Sequence, residues 1–288
     1  WYGPDWKVYS GSAYKPQDNA YDHMRELKRL AVEAGLTAPL YTATAWGNAT
    51  VVEGETLPVE SGYVDAPWDQ HTDELPESPH FMMQTVRDDP LVGRDLKKDS
   101  AAAPSRFEDA PYLTAELGGG MQPTDHRRVV AFPRDTEALA FCKLGSGANL
   151  LGYYMYHGGT NPDGRLSTLQ ESRETGYPND LPVKSYDFEA PLGECGLASE
   201  SCSRLRRLHL FVREWGELLA PSEAVIPPDS CRDPADREAL RWSFRYNPEA
   251  DCGFVFVNNH LRKRVLPDRE NVRLTVKAGG REYALPPV

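Results

Sequence analysis

The chain has 288 residues, of which 10% are aromatic and 26% are charged, so it is long enough for one large globular domain or two smaller ones. Its net charge of −11 argues against a nucleic-acid partner and against an anionic membrane surface, because both require clustered basic side chains. No apolar run reaches the roughly 18 residues that a membrane-spanning helix needs, so the sequence predicts no such helix.

The five cysteines carry no metal-binding or redox motif, since neither Cys-x-x-Cys nor a histidine at zinc-ligand spacing accompanies them. The sequence therefore predicts no metal and no cofactor. Reduced, structurally incidental thiols are the favoured interpretation. In an oxidising compartment Cys195 could pair with Cys202, or Cys231 with Cys252.

The first predicted element is an amphipathic helix. Apolar residues recur on one helical face at Met24, Leu27, Leu30, Ala31 and Ala34. Asn19 or Asp22 can cap the start of this helix, and Gly35 can end it. A short apolar run at residues 39–44 then predicts a buried strand.

Three more strands are predicted in the middle of the chain. Prolines first mark a loop-rich stretch at residues 46–79. Apolar runs then predict strands at residues 81–86, 112–116 and 150–156.

Helices are predicted between and after these strands. The first covers residues 137–144, with Thr136 or Asp135 as its cap and Gly145 as its end. The second has the clearest pattern, with apolar side chains at Leu205, Leu208, Val212, Trp215 and Leu219. Alternating strands and helices are typical of a parallel sheet with crossovers, although four strands are too few for a closed eight-stranded barrel.

The pattern changes after residue 220. A proline-rich linker is predicted at residues 221–239. Beyond it, apolar residues alternate with Arg241, Ser243 and Arg245, which predicts a half-buried strand. Further strands are expected at residues 253–259 and 272–276, so the tail is predicted to be a small all-β unit.

Glu116 is the first candidate for chemistry. It ends a short apolar strand and is followed by three glycines at residues 118–120. In a parallel α/β architecture the side chains at strand carboxyl ends face the ligand crevice, and glycines let a ligand approach the backbone. A carboxylate there can act as nucleophile, base or metal ligand. The alternative is a surface glutamate before a flexible turn.

Two further segments and one tryptophan carry groups that suit a sugar site. Tyr154, His157 and Asn161 surround a Gly-Gly turn after a predicted strand, and aromatic rings, imidazoles and amides bind sugar faces and hydroxyls. Tyr186 lies in an aromatic and acidic loop, and Trp46 follows the strand at residues 39–44. For each of these, packing in the core or an ordinary loop is the competing explanation.

Taken together, these segments resemble the family-35 glycoside hydrolases, chiefly β-galactosidases. Residues 40–47 look like the fifth barrel strand of that family with its loop, and residues 114–116 look like the seventh strand with the nucleophile. Residues 154–161 resemble the eighth-strand signature, and residues 185–194 resemble the family's Tyr-Asp-Tyr-Asp-Ala-Pro segment. The run at residues 253–259 resembles the first β-domain after the barrel.

The resemblance implies an α/β fold in which residues 1–220 form the second half of a (β/α)8 TIM barrel. A small all-β, sandwich-like unit at residues 240–288 would follow the linker. The implied activity is that of a retaining exo-β-galactosidase, which hydrolyses terminal β-galactosides by double displacement with Glu116 as the nucleophile. The residues that would bind the substrate are Trp46, Tyr154, His157, Asn161, Tyr186 and Phe188.

Two departures from the family pattern matter for function. The family commonly has tyrosine where this chain has Phe188, so a hydroxyl that would face the sugar is missing. The family's acid/base glutamate ends the fourth strand, and Trp1 looks like a residue just after that motif. The missing N-terminal half would then supply the acid/base carboxyl, and the isolated chain is expected to be inactive.

Two alternatives to a β-galactosidase stay open. Phe188 keeps open a retaining enzyme of similar architecture that acts on another β-glycoside. A non-catalytic carbohydrate-binding protein derived from such an enzyme is the second alternative. The expected partners are therefore a β-galactoside or a related carbohydrate, together with the upstream half of the same protein, and neither nucleic acid nor a membrane.

Overall fold

The computed structural model describes residues 20–41, 51–66, 72–87, 107, 109–121, 123, 127–162, 165 and 184–286. Within these ranges the chain forms three α-helices and nine short strands. The helices are α1 (Ala20–Glu33), α2 (Pro133–Gly145) and α3 (Glu200–Leu219). In this part of the chain no helix combines the length and the apolar content that a membrane crossing requires.

Helix α1 confirms the first predicted helix and its end. Gly35 has a φ of 89°, a left-handed conformation that favours glycine after a helix. Asp22 lies inside the first turn, and Asn19 lies outside the described residues. Leu27 and Leu30 are each 48% exposed, so the predicted apolar face is only half covered.

Helix α2 is confirmed as a helix, but its predicted cap at Thr136 or Asp135 is wrong. The helix begins at Pro133, whose fixed φ suits the first helical position. The Asp135 carboxylate acts from the third helical position, where Oδ2 accepts the Phe132 N–H at 3.1 Å. Gly145 is the last helical residue, and Ser146 is the C-cap.

A parallel arrangement of extended segments holds the candidate site. Strand β1 (Glu60–Gly62) pairs in parallel with β2 (Thr114–Leu117). Single parallel bridges extend this pairing on either side, at Tyr41↔Leu57, Leu113↔Leu150 and Leu117↔Tyr153. The described segments thus lie side by side in chain order, as consecutive crossover units arrange them. Their membership of a TIM barrel stays a prediction.

Two predictions in this region are wrong. The predicted strand at residues 81–86 is replaced by a 3₁₀ turn (Pro79–Phe81) and irregular chain. The backbone of this segment forms hydrogen bonds with side chains and not with a neighbouring strand. For example, Asn258 Nδ2 donates to the Phe81 carbonyl at 2.6 Å. The actual strand, β1, lies in the stretch predicted as loop. It has the sequence Glu-Ser-Gly, which carries no apolar pattern, so only its pairing with β2 reveals it.

The segment at residues 150–156 runs alongside β2 without forming a continuous strand. It meets β2 through backbone hydrogen bonds, including Leu117 N–H to Gly152 O at 3.0 Å and Tyr154 N–H to Leu117 O at 2.8 Å. Farther along, β3 (Gly159–Thr160) pairs antiparallel with β4 (Ser185–Tyr186).

The C-terminal region forms two antiparallel sheets. Strands β5 (Glu223–Val225), β6 (Arg241–Asn247) and β7 (Cys252–Asn258) form one sheet in that order. Strands β8 (Leu274–Ala278) and β9 (Arg281–Leu285) form the other. Strand β5 lies in the segment that was predicted as a linker. All five cysteines of the chain are free thiols.

Strand β6 is buried on both faces, which differs from the predicted half-buried strand. Trp242 and Phe244 pack on the apolar side with Leu274 and Val276 of β8. The polar side chains of the opposite face are also buried, at Arg241, Ser243 and Arg245. Their face contacts the ends of α2 and α3, where helix carbonyls need donors, and Ser243 Oγ donates to Gly145 O at 2.7 Å.

A buried ion-pair cluster joins the loop after β7 to α2. Arg262 donates to the Asp135 carboxylate, and His260 Nε2 lies 2.8 Å from Asp135 Oδ1. Burial by itself raises the pKa of Asp135. The hydrogen bond from His260, the charge of Arg262 and the Phe132 N–H together lower the pKa below its ordinary value of 3.8.

We expect this cluster to make stability sensitive to acid. A carboxyl with a lowered folded pKa contributes stability above its unfolded pKa of about 4, and this contribution is lost as the pH falls through the folded pKa. The free energy of unfolding in urea should therefore decline below about pH 4 more steeply for the wild type than for Asp135→Asn. Asp229→Asn, at an exposed position, is the matched control and should follow the wild type. Parallel pH profiles for the wild type and Asp135→Asn would contradict the assignment.

Candidate functional site

The candidate site is built around Glu116 on β2. Tyr63, the residue directly after β1, donates its hydroxyl proton to Glu116 Oε2 at 3.1 Å. The two side chains meet because β1 and β2 run in parallel, with Gly62 paired to Leu117 at their carboxyl ends. Tyr63 was not predicted as a site residue, since the strand that precedes it carries no recognisable pattern. A residue directly after a strand end is a candidate site residue, but this could be recognised for Tyr63 only once strand β1 was known.

The glycines after Glu116 bring two other loops against the end of β2. A Cβ atom added to Gly119 would lie 2.1 Å from the Met155 carbonyl oxygen, and one added to Gly120 would lie 1.7 Å from the Phe188 carbonyl oxygen. No larger residue fits at either position without moving backbone. These close approaches are made by the protein's own loops, and the expected approach of a ligand at the glycines stays a prediction.

Three aromatic rings pack together, and one of them, Tyr186, lies within reach of the charge of Glu116. The Tyr154 and Tyr186 rings are perpendicular with centroids 6.1 Å apart, and the Tyr186 and Phe188 rings are 4.4 Å apart. Burial raises the pKa of Tyr186, and the negative charge of Glu116 raises it further. Phe188 is buried and has a φ of 51°, which turns the chain sharply at this point. We call Tyr154, Tyr186 and Phe188 the aromatic cluster.

His157 and Asn161 flank strand β3, whose partner strand contains Tyr186. Gly159 of β3 is paired directly with Tyr186 of β4. Asn161 is buried, and its backbone N–H donates to the Lys184 carbonyl at 2.8 Å. His157 is exposed, with its Nδ1 2.5 Å from the carbonyl oxygen of the next residue. Both residues thus lie on the segment of Tyr154, next to the strand that carries Tyr186.

Three other carboxylates near this segment hold loop backbones and side chains. Asp187 Oδ2 accepts the Glu194 N–H at 2.7 Å, and Glu189 Oε2 accepts the Ala131 N–H at 2.9 Å. Burial raises the pKa of Glu189. The Glu194 carboxylate in turn accepts a hydrogen bond from the Thr160 hydroxyl. These carboxylates stabilise the loops around the aromatic cluster.

The structure therefore places Tyr186 within reach of the charge of Glu116, with Tyr154 and Phe188 packed against Tyr186, and it adds Tyr63. His157 and Asn161 lie on either side of β3, which pairs with the strand of Tyr186. Trp46 lies outside the described residues. A scan of the chain against models of known protein families finds no match. The resemblance to family-35 glycoside hydrolases thus rests on the sequence motifs.

The chemistry available to this site follows from its groups. Glu116 offers a carboxylate that is oriented by a hydroxyl donor, at the carboxyl end of a parallel strand, where α/β folds place ligands. The aromatic cluster offers ring surfaces of the kind that pack on the C–H faces of sugars. A carboxylate beside such rings can attack an electrophilic carbon or accept a proton from a bound polyol.

Proposed function

We propose that the chain carries the nucleophile of a retaining β-glycosidase that acts on terminal β-galactosides, and that Glu116 is this nucleophile. One observation carries the proposal: the Glu116 carboxylate lies at the carboxyl end of β2 and accepts a hydrogen bond from the Tyr63 hydroxyl at 3.1 Å. The motif resemblance and the neighbouring aromatic cluster support it.

In the proposed reaction a Glu116 oxygen bonds to the anomeric carbon as the glycosidic C–O bond breaks. The departing oxygen takes the electron pair of that bond and a proton from a second carboxyl. Water then attacks the glycosyl ester and releases Glu116, with the second carboxyl accepting the proton of the water. The Tyr63 hydrogen bond would hold the Glu116 carboxylate in the orientation required for attack.

The sugar specificity of the proposed enzyme depends on the aromatic cluster. The Phe188 ring packs at a tilt against Tyr186 and has no hydroxyl to offer a sugar. Specificity for galactose would then depend on the other polar groups around the site. Other β-glycosides are the competing substrates, so the test must compare sugars.

The experiment uses a galactosyl fluoride in which the hydroxyl next to the anomeric carbon is replaced by fluorine. Fluoride leaves with the electron pair of the C–F bond and needs no proton, so this fluorosugar probe reports the nucleophile without the acid. We expect one equivalent to attach covalently to Glu116, as shown by intact-protein mass and peptide mapping. The corresponding glucosyl probe should react more slowly. Faster labelling by the glucosyl probe would show that the preferred substrate is another β-glycoside. Saturable binding of galactose without covalent labelling would support a non-catalytic carbohydrate-binding protein.

Removing the Tyr63 hydroxyl should slow this labelling. A hydrogen bond to a charged group contributes about 1.5–3 kcal/mol, so Tyr63→Phe is expected to lower the limiting rate constant of labelling roughly tenfold or more. The exposed Tyr21 on α1 provides the matched control, and Tyr21→Phe should label at the wild-type rate. An unchanged rate for Tyr63→Phe would show that the hydroxyl does not orient the nucleophile.

A further inference from the structure

Arg262, in the loop after β7, is a buried cation that binds two carboxylates at once. Its side chain is 5% exposed. Nε donates to Asp65 Oδ2 at 2.7 Å, and Nη1 donates to Asp135. Nη2 donates to the Val130 carbonyl at 2.8 Å. One guanidinium thus fixes two segments that are far apart in the sequence.

Asp65 belongs to the same short segment as Tyr63. Upstream, Gly118 N–H donates to the Gly62 carbonyl at 2.8 Å and holds the start of the segment on β2. Downstream, Asp65 is held by Arg262. Tyr63 lies between these two anchors, and its hydroxyl reaches Glu116. The position of Tyr63 therefore depends on both anchors.

The fork of the guanidinium is essential to this arrangement. Asp65 and Asp135 are 4% and 1% exposed, and two buried carboxylates around one site repel each other unless a cation bridges them. Lys263 Nζ also contacts Asp65, at 2.9 Å, but this lysine is half exposed. A lysine in place of Arg262 would keep the charge and lose the bridge, because one ammonium does not reproduce the planar fork.

We infer that Arg262 is a positioning residue for Glu116, acting through Asp65 and Tyr63. The inference rests on the proposed function, since it assigns a role in aligning the proposed nucleophile. On this inference the loop after β7 helps to orient the Glu116 carboxylate. Arg262 itself contacts neither the nucleophile nor a substrate in this scheme.

The test measures fluorosugar labelling of the 288-residue chain as a function of probe concentration. We expect Arg262→Lys to lower the limiting rate constant roughly tenfold, because small displacements of a reacting group cost one to two orders of magnitude. The half-saturating concentration should stay within about twofold, since no sugar contact is lost. Arg264, two residues away, pairs with Glu77 at 2.8 Å and is 42% exposed. Arg264→Lys is thus the matched control and should keep the wild-type rate constant.

A double-mutant cycle separates positioning from general destabilisation. If Arg262 acts through Tyr63, Arg262→Lys should have little further effect on the limiting rate constant in the Tyr63→Phe background. A purely structural role would slow labelling by the same factor in both backgrounds. Asp65→Asn is the second variant, for use if Arg262→Lys does not fold, and should show the same non-additivity with Tyr63→Phe.

The outcomes distinguish this inference from the proposed function. Wild-type labelling at Glu116 with additive effects in the cycle, or with an unchanged rate constant for Arg262→Lys, would overturn the positioning role and leave the nucleophile assignment intact. Absence of wild-type labelling at Glu116 would overturn the proposed function and this inference with it. A non-additive loss confined to the limiting rate constant would support both.

Discussion

Glu116→Gln is expected to abolish covalent labelling by the fluorosugar probe. The amide keeps the shape of the side chain and a carbonyl oxygen for the Tyr63 hydroxyl, but it has no negative charge with which to attack the anomeric carbon. Deleting a nucleophile costs on the order of 10⁴-fold or more in covalent mechanisms, so the labelled fraction should fall to background. Intact-protein mass spectrometry over a time course measures this loss directly.

The matched control for this variant is a second carboxylate that has an identified structural partner. Glu137 on α2 pairs with Arg204 at 2.9 Å, on a different element from Glu116. Glu137→Gln should therefore label at the wild-type rate. Labelling of Glu116→Gln at another carboxylate, at a rate near that of the wild type, would disprove the assignment of Glu116.

Turnover gives a second measure of the same substitution. Nitrophenyl β-galactoside would be assayed with the wild type and with Glu116→Gln. Any turnover by the wild type should fall to background in the variant, because the glycosyl ester no longer forms. General acid assistance contributes typically about 10²–10⁴-fold, so activated aryl substrates should depend least on the second carboxyl. Robust turnover by the chain alone, abolished by Glu116→Gln, would mean that another carboxyl in this chain serves as the acid.

Arg245→Met is expected to cause a large loss of stability. The Arg245 side chain is fully buried and is bonded to both helix ends that β6 covers. Nη1 donates to the Leu144 and Ala148 carbonyls at 2.9 and 3.1 Å, and Nη2 donates to the Leu219 and Ser222 carbonyls at 2.8 and 3.1 Å. This guanidinium therefore caps the carboxyl ends of α2 and α3 together.

The charge of Arg245 persists at neutral pH despite its burial. Desolvation lowers the pKa of Arg245 to about 10, and the surrounding carbonyls offset part of the cost of burying the cation. Methionine fills most of the same volume without donating a hydrogen bond, so each of the four carbonyls loses the bond from Arg245. The Leu144 and Leu219 carbonyls keep bonds from the Gly147 and Ser222 N–H groups. We expect the free energy of unfolding in urea to fall by about 3–5 kcal/mol.

Two control variants separate the loss of hydrogen bonds from the loss of charge and from the general effect of replacing arginine by methionine. Arg245→Lys keeps the charge but has three donors on one nitrogen, so it should still lose most of that stability. Arg206→Met, at an exposed position of α3, should change stability by less than about 0.5 kcal/mol. A loss below about 1 kcal/mol for Arg245→Met would show that the helix ends find other donors, such as water.

Elements with a strong local period could be predicted from the sequence alone. Helix α3 and strands β6 and β7 appear where the apolar spacing predicted them, because burying a periodic apolar face favours that secondary structure. Helix α2 appears where local start and stop residues predicted it. The place of Glu116 near a strand end, before glycines, was also predicted from local information, and its role stays a prediction.

Only the tertiary structure decided the features that depend on distant partners. Strand β1 has no apolar period and exists through its pairing with β2. Tyr63 reaches Glu116 across 53 residues of sequence, and Arg262 reaches Asp65 across 197. A polar side chain gives no local sign of whether water or a buried partner will satisfy it. Arg245 and Arg262 are buried because the fold brings carbonyls and carboxylates to them as hydrogen-bond partners. No local pattern in the sequence predicts these long-range contacts.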